Sequence, residues 1–171
     1  MKLETRRLIL REMTRDDYAA LCAILQDPEV MVAYNGAFDD AETQAWLDRQ
    51  LARYEAYGHR FGLWAVVLKE TGEMIGQCGL TLQPWKDSEV FEIGYLFRRS
   101  CWHRGYATEA AIACREYAFA TLGLEEVCSM IRDTNAASQR VARRNGMTPC
   151  DTWVKHYRGA DMPHTLFSVR R

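Results

Sequence analysis

The sequence has no apolar run near the roughly 18 residues that a membrane-spanning helix needs. Its start, Met1-Lys2-Leu3-Glu4-Thr5-Arg6-Arg7, has no apolar export core, so neither a membrane partner nor export is expected. No C-x-x-C pair occurs among Cys22, Cys78, Cys101, Cys114, Cys128 and Cys150, which argues against a zinc knuckle. The histidines His59, His103, His156 and His164 follow no metal-ligand spacing, so no metal site is expected. There is no basic excess: 22 Lys+Arg stand against 23 Asp+Glu, a formal charge of -1. That argues against a general nucleic-acid binder and against an acidic tail. A dinucleotide G-x-G-x-x-G, a Walker G-K-[ST] and a Ser/His/Asp order are all missing. No repeat, low-complexity tract or Pro/Gly/Ser linker divides the chain.

What is present reads as one globular domain over residues 1–171. The apolar fraction is 48% and the mean hydropathy is -0.33. A chain of this size buries about 70% of its unfolded-state surface and needs no disulfide or metal to fold. Most of the cysteines sit in apolar stretches and read as buried free thiols, and a reducing cytoplasm is the expected home.

Leu3 to Met13 reads as a first strand. Asp16-Asp17 opens a helix that stops near Asp27-Pro28, and Asp39 or Asp40 caps a second one ending at Gly58. Phe61 to Leu68 and Met74 to Leu82 read as a hairpin, Gln83 to Ser88 as a loop, and Glu89 to Phe97 as the next strand. A helix over Tyr106 to Leu122, a strand over Val127 to Arg132 and a helix from Asn135 to Gly146 follow. Met147 to Tyr157 and Met162 to Val169 close the chain as strands. The order predicts an α+β, three-layer α/β/α fold, with helices on both faces of a mixed seven-stranded sheet.

The stretch from Tyr95 to Ala110 carries the most information. A strand ends near Phe97, a basic loop follows, and Gly105 leads into an Ala-rich helix. A helix start has unpaired N–H groups and a positive dipole end, which suit phosphate. Gly105 lets the backbone approach an anion, and Ala107 lets the helix start pack close to the sheet. Arg98, Arg99 and Arg104 add positive charge, and no acid occurs from Arg98 to Thr108. The same residues also read as ordinary turn chemistry. Cys101 in this loop reads as a bystander.

Trp102-His103-Arg104-Gly105-Tyr106-Ala107-Thr108-Glu109-Ala110 resembles the acyl-CoA pyrophosphate loop of the GNAT N-acetyltransferases. The nearest likeness is to the branch that acetylates ribosomal-protein N-termini (RimJ/RimL-like). Glu92-Ile93-Gly94-Tyr95 is similar to that branch's central strand. Asp133 to Val141, followed by Asn145-Gly146-Met147, is similar to its second cofactor segment, and Glu4 to Arg11 is a typical opening. The resemblance implies the GNAT fold, acetyl-CoA as co-substrate and no metal. It implies cofactor contacts from Leu96, Phe97, His103, Arg104, Gly105, Tyr106, Ala107, Thr108, Asn135 and Ser138. There are departures. Trp102 and His103 stand at loop positions more often Gln/Arg and Gly, and Ala142 stands where many relatives carry a tyrosine general acid. Attention therefore moves to Ser138.

The implied reaction is attack of a primary amine on a thioester, through a tetrahedral oxyanion, with release of a thiolate. A lysine-like amine with a pKa of about 10.4 is mostly protonated at neutral pH, so a base helps. Glu92 is the candidate base, sharing a strand face with Val90, Gly94 and Leu96. A glutamate paired or solvated at an edge is the alternative. Gly94 either leaves room for the cofactor arm or marks a bulge. The backbone of Leu96 or Phe97 supplies an oxyanion donor. A thiolate with a reference pKa of about 8.5 leaves with little help, so Ser138 suffices as donor. Asn135 reads both as an N-cap and as a pantetheine contact.

On the acceptor side, Tyr34 to Phe38, Gln83 to Ser88 and Tyr157 to Asp161 are candidate walls. Tyr34 and Trp85 either line a cleft or cover the edge of the core. The acceptor is a small-molecule amine or a protein N-terminus. The rival readings are a catalytically silent acyl-CoA-binding domain and an unrelated nucleotide-binding domain. Oligomeric state is not legible, and a homodimer stays open.

Overall fold

Local chemistry sets the helix boundaries. Asp39 accepts the Glu42 N–H at 2.8 Å while Glu42 accepts the Asp39 N–H at 3.0 Å, a reciprocal cap that starts helix α2 (Asp40–Ala56). The Asn135 side-chain Oδ1 accepts the Ser138 N–H at 3.0 Å and starts α4 (Ala136–Arg144). Helix α1 (Tyr18–Leu25) follows a single 3-10 turn, and α3 (Tyr106–Ala120) begins at Gly105.

The computed structural model describes residues 2–171. It contains strands β1 (Lys2–Glu4), β2 (Leu8–Arg11), β3 (Gly62–Leu68), β4 (Met74–Trp85) and β5 (Ser88–Phe97). After α3 come β6 (Glu126–Arg132), β7 (Thr148–Tyr157) and β8 (Ala160–Arg170). They form one sheet in the order β1-β2-β3-β4-β5-β6-β8-β7. Every neighbouring pair is antiparallel except β5 and β6, which α3 joins by a parallel crossover. Adjacent β4 residues show the two faces: Gln77 accepts from the Trp46 indole of α2 at 3.0 Å, and Cys78 meets Cys114 of α3. Helices therefore cover both faces. Trp64, Phe167, Leu8, Leu10 and Leu21 are buried completely or nearly so between these layers. Each buried Leu or Phe among them stabilises the fold by about 1.5–3 kcal/mol.

The sheet has eight strands rather than seven because the expected Leu3–Met13 strand is divided. Thr5 folds the chain back, its hydroxyl accepting the Leu8 N–H at 2.9 Å. Glu109 of α3 then accepts from the Thr5 hydroxyl at 2.6 Å, the Arg7 N–H at 2.8 Å and the Arg7 Nε at 2.7 Å. Burial works against this carboxylate's charge, but the hydrogen bonds from Thr5 and Arg7 outweigh it and hold Glu109 below its usual range. The expected loop from Gln83 to Ser88 is instead a tight turn at Lys86-Asp87 with Lys86 at φ 52. Trp85 is consequently 3% exposed, with its indole donating to Asp151 at 2.8 Å. All six cysteines are free; Cys78, Cys114 and Cys128 are buried, whereas Cys150 is exposed.

Candidate active site

The parallel pair β5–β6 is joined at one register position, Glu92 opposite Cys128. The next rung of a regular parallel ladder would run from the Met130 N–H to the Ile93 carbonyl. Two side-chain bonds replace it: Ser129 Oγ donates to the Ile93 carbonyl at 2.7 Å, and the Met130 N–H donates to Glu92 Oε1 at 3.3 Å. Beyond this point the strands part and leave a wedge. Strand alternation turns the peptide groups of Phe91, Ile93, Tyr95 and Phe97 toward the β6 side. Those of Leu96 and its even-numbered neighbours turn toward β4, as the Arg98 N–H to Ile75 carbonyl bond of 2.9 Å also shows.

At one end of the wedge lies the loop before α3. His103 and Gly105 take φ values of 61 and 78, in the left-handed region. Turns of this kind gather successive N–H groups into an anion-binding concavity. The backbone N–H groups of residues 103–108 find no acceptor among the described residues. Trp102 braces the loop, its indole donating to the Phe97 carbonyl at 2.9 Å. Arg7 braces it from the other side, donating to the Arg104 carbonyl at 3.0 Å and lying 4.5 Å from the Tyr106 ring centre. A groove of about 590 Å³ continues along α3 past Gly105, Thr108, Ile112 and Arg144. Glu4, Glu109 and Glu116 also line it. A candidate anion site is therefore marked by the N–H groups and not by this mixed-charge groove.

At the other end stands Glu92. Burial pushes its carboxyl above the usual range, against the pull of Lys155, the Met130 N–H and Arg53. Burial, and then the Glu92 charge, push the Tyr34 phenol up as well. Tyr34 packs edge-on against Trp46, with ring centres 6.1 Å apart. Arg158, at the β7–β8 turn, ties this wall together. It donates to the Gly36 carbonyl at 3.1 Å and to Glu42 at 2.7 Å.

Between the two ends, Tyr95 Oη lies 2.9 Å from Ser138 Oγ and donates to the Ser138 carbonyl at 3.1 Å. This places two hydroxyls side by side where β5 faces the start of α4. Burial raises the Tyr95 phenol, with the Ser138 hydrogen bond opposing. Ala142 is buried in α4.

A model of the acetyltransferase (GNAT) domain family matches residues 7–148. The chain belongs to the GNAT acetyltransferase family. It is 41% identical to the uncharacterized protein YkkB of Bacillus subtilis (strain 168) over 147 residues, 85% of this chain and 84% of that one. An acetyltransferase structure from Agrobacterium tumefaciens strain C58 superposes with a TM-score of 0.82 at 31% identity, covering 100% of this chain and 95% of that chain. RimL, a ribosomal L7/L12 alpha-N-protein acetyltransferase solved with coenzyme A, shares the fold with a TM-score of 0.79 at 17% identity, covering 99% and 98%.

Within the GNAT fold, the expected cofactor residues Phe97, His103 to Thr108, Asn135 and Ser138 all border the wedge or its loop. Leu96 is corrected as an oxyanion donor: its peptide faces β4, which leaves Phe97. Arg98 and Arg99 are corrected as phosphate-loop charges. Arg98 turns back to donate to the Met74 carbonyl at 3.1 Å, and Arg99 is held by Asp27 at 3.1 Å and Glu29 at 2.6 Å. Trp85 covers the core and does not line a cleft. Gly94 marks no bulge, since the β4–β5 register runs unbroken from Gly76–Phe97 to Trp85–Ser88. A Cβ there would meet only Leu63, at 3.5 Å. The sequence reading missed Tyr95, Arg7, Met130 and Lys155. Tyr95 had a usable signal, since strand alternation sets it on the face opposite Glu92. Among the described residues no cluster of three or more His, Cys, Asp or Glu side chains is placed to hold a metal ion, and no helix is long and apolar enough to cross a membrane.

Proposed function

We propose that residues 1–171 form one cytoplasmic N-acetyltransferase domain that moves an acetyl group from acetyl-CoA to a primary amine by direct attack. The observation that carries this reading is the wedge: a row of unpaired N–H groups at one end and a desolvated carboxylate at the other. The residues present fit the co-substrate. Free backbone donors in an acid-free loop suit a pyrophosphate, and the exposed Arg140 and Arg144 of α4 add positive charge nearby. The Asn135 side-chain Oδ1 is used by its cap, which leaves its amide N–H groups for the pantetheine arm.

Acetyl-CoA supplies an acetyl group activated as a thioester. Glu92 takes the proton of the incoming amine, directly or through water, and the burial that raises its pKa makes it a stronger base than a solvated carboxylate. The Phe97 N–H donates to the carbonyl oxygen as negative charge grows on it. When Tyr95 Oη turns its proton from the Ser138 carbonyl to Ser138 Oγ, the Ser138 Oγ–H is freed to donate to the departing sulfur. A new C–N bond forms, the C–S bond breaks, and the proton ends on Glu92. A protein N-terminus, as for the L7/L12 alpha-N-protein acetyltransferase RimL, and a small-molecule amine both carry the primary amine this reaction needs.

The test is thiol release from acetyl-CoA over a panel of amines, with Glu92→Gln as control. Turnover that this substitution abolishes is the expected result. Tight CoA binding without turnover on any amine would overturn the reading in favour of a silent acyl-CoA-binding domain.

A further inference from the structure

Two cations act on the Glu92 charge, Lys155 and Arg53, and among the described residues neither has an ion pair; Arg53 donates to Gln50 Oε1 at 3.5 Å. Farther out on the acceptor side, Arg158 is paired with Glu42 and Arg132 donates to the Val32 carbonyl at 3.0 Å. Lys155, on β7, makes no ion pair among the described residues. Its ammonium donates to Met130 Sδ at 3.2 Å, a weak acceptor. It stands over two indoles, 5.4 Å from the Trp153 centre and 6.0 Å from that of Trp85. Aromatic faces keep a cation in place without using up its donors. Met130 is also the residue whose N–H binds Glu92, so Lys155 and Glu92 flank one residue and face one space. Burial lowers the Lys155 ammonium and the Glu92 charge pulls it back up, as expected of two groups that share a desolvated cleft.

We propose that Lys155 selects acceptors carrying a carboxylate on the same molecule as the reacting amine. The inference rests on the acetyltransferase reading above. An amine docked at Glu92 takes up the carboxylate charge that Lys155 otherwise feels. The ammonium is then left in a half-buried place with donors to satisfy, and a carboxylate on the acceptor satisfies them by charge-assisted hydrogen bonds. A second cation on the acceptor, as in a polyamine, meets Lys155 as a like charge and is rejected. Two sources supply this chemistry: a free amino acid, or a peptide N-terminus with an acidic residue beside it.

Matched pairs test it. L-methionine is compared with L-methioninamide, and a tripeptide amide with aspartate in second place is compared with its asparagine counterpart; spermidine is the cationic reference. The amide of the first pair has the more readily deprotonated amine, so intrinsic reactivity works against the expected result. The carboxylate member of at least one pair should be favoured by about tenfold or more in kcat/KM. The pair that shows the preference identifies the source. K155R should keep the ratio, K155M should bring it within about twofold of one, and K155E should reverse it toward spermidine. K155Q serves if K155M does not fold, and CoA affinity measured by calorimetry checks each variant. A flat ratio in the unmodified protein overturns the proposal alone, as does a K155M ratio that persists while all rates fall together. Absence of turnover on any amine overturns it together with the acetyltransferase reading.

Discussion

At the loop end of the wedge, the groups proposed to meet a ligand are backbone N–H groups of one short segment, residues 103–108. At the Glu92 end they are side chains from four separate segments: Tyr34, Glu92, Met130 and Lys155. The first kind of site depends on backbone shape, so most side-chain changes there leave its donors in place. The second depends on identity, since each group's charge is set by its neighbours. The loop end is suited to a constant partner and the Glu92 end to discriminating among variable ones.

Substitutions should separate the two ends. The largest effect is expected for Glu92→Gln: kcat/KM falls by about 100- to 1,000-fold, while CoA affinity measured by calorimetry stays within about twofold. Next, Ser138→Ala should lower kcat by about tenfold, measured in single turnovers, because a thiolate needs only modest help to leave. Gly105→Ala strains a residue at φ 78 and should weaken CoA binding by about tenfold, with kcat changed by less than threefold. If that variant lost kcat and kept its affinity, the division of labour would be wrong. Glu109→Ala releases both Thr5 and Arg7. It should cost about 1–2 kcal/mol, read as a fall in Tm of about 2–8 °C, with a few-fold loss of CoA affinity.

The smallest effect is a pH dependence. Burial raises the folded Glu92 carboxyl above its unfolded value of about 4.3. The stability tied to this group is therefore present below that value and is lost as pH rises through the folded one. Glu92→Gln should melt at a higher temperature than the parent at pH 8 and at nearly the same temperature at pH 4. Equal melting temperatures at both pH values would count against a desolvated carboxylate.

Features governed by neighbours in sequence were legible. The Asp39 and Asn135 caps, the Gly105 turn and the odd placing of Glu92 among apolar strand residues all fall within a few positions. Features governed by partners 66 to 104 residues away were not. Glu109 divides the first strand by gripping Thr5 and Arg7, and Asp27 and Glu29 draw Arg99 off the phosphate loop. Trp85 reads as a loop aromatic until Asp151 of β7 accepts its indole N–H. Lys155 sits in an alternating, largely exposed strand that looks like any solvated edge. Its meaning appears only once the fold sets it beside Met130.

The missing rung between Met130 and Ile93 also bears on kinetics. Ser129 and Glu92 already satisfy those two backbone groups, so no backbone hydrogen bond has to break at that rung for a ligand arm to enter. Encounter with coenzyme A then needs no strand-separating step. The observed association rate should climb in proportion to ligand concentration, without the plateau that a slow opening would impose.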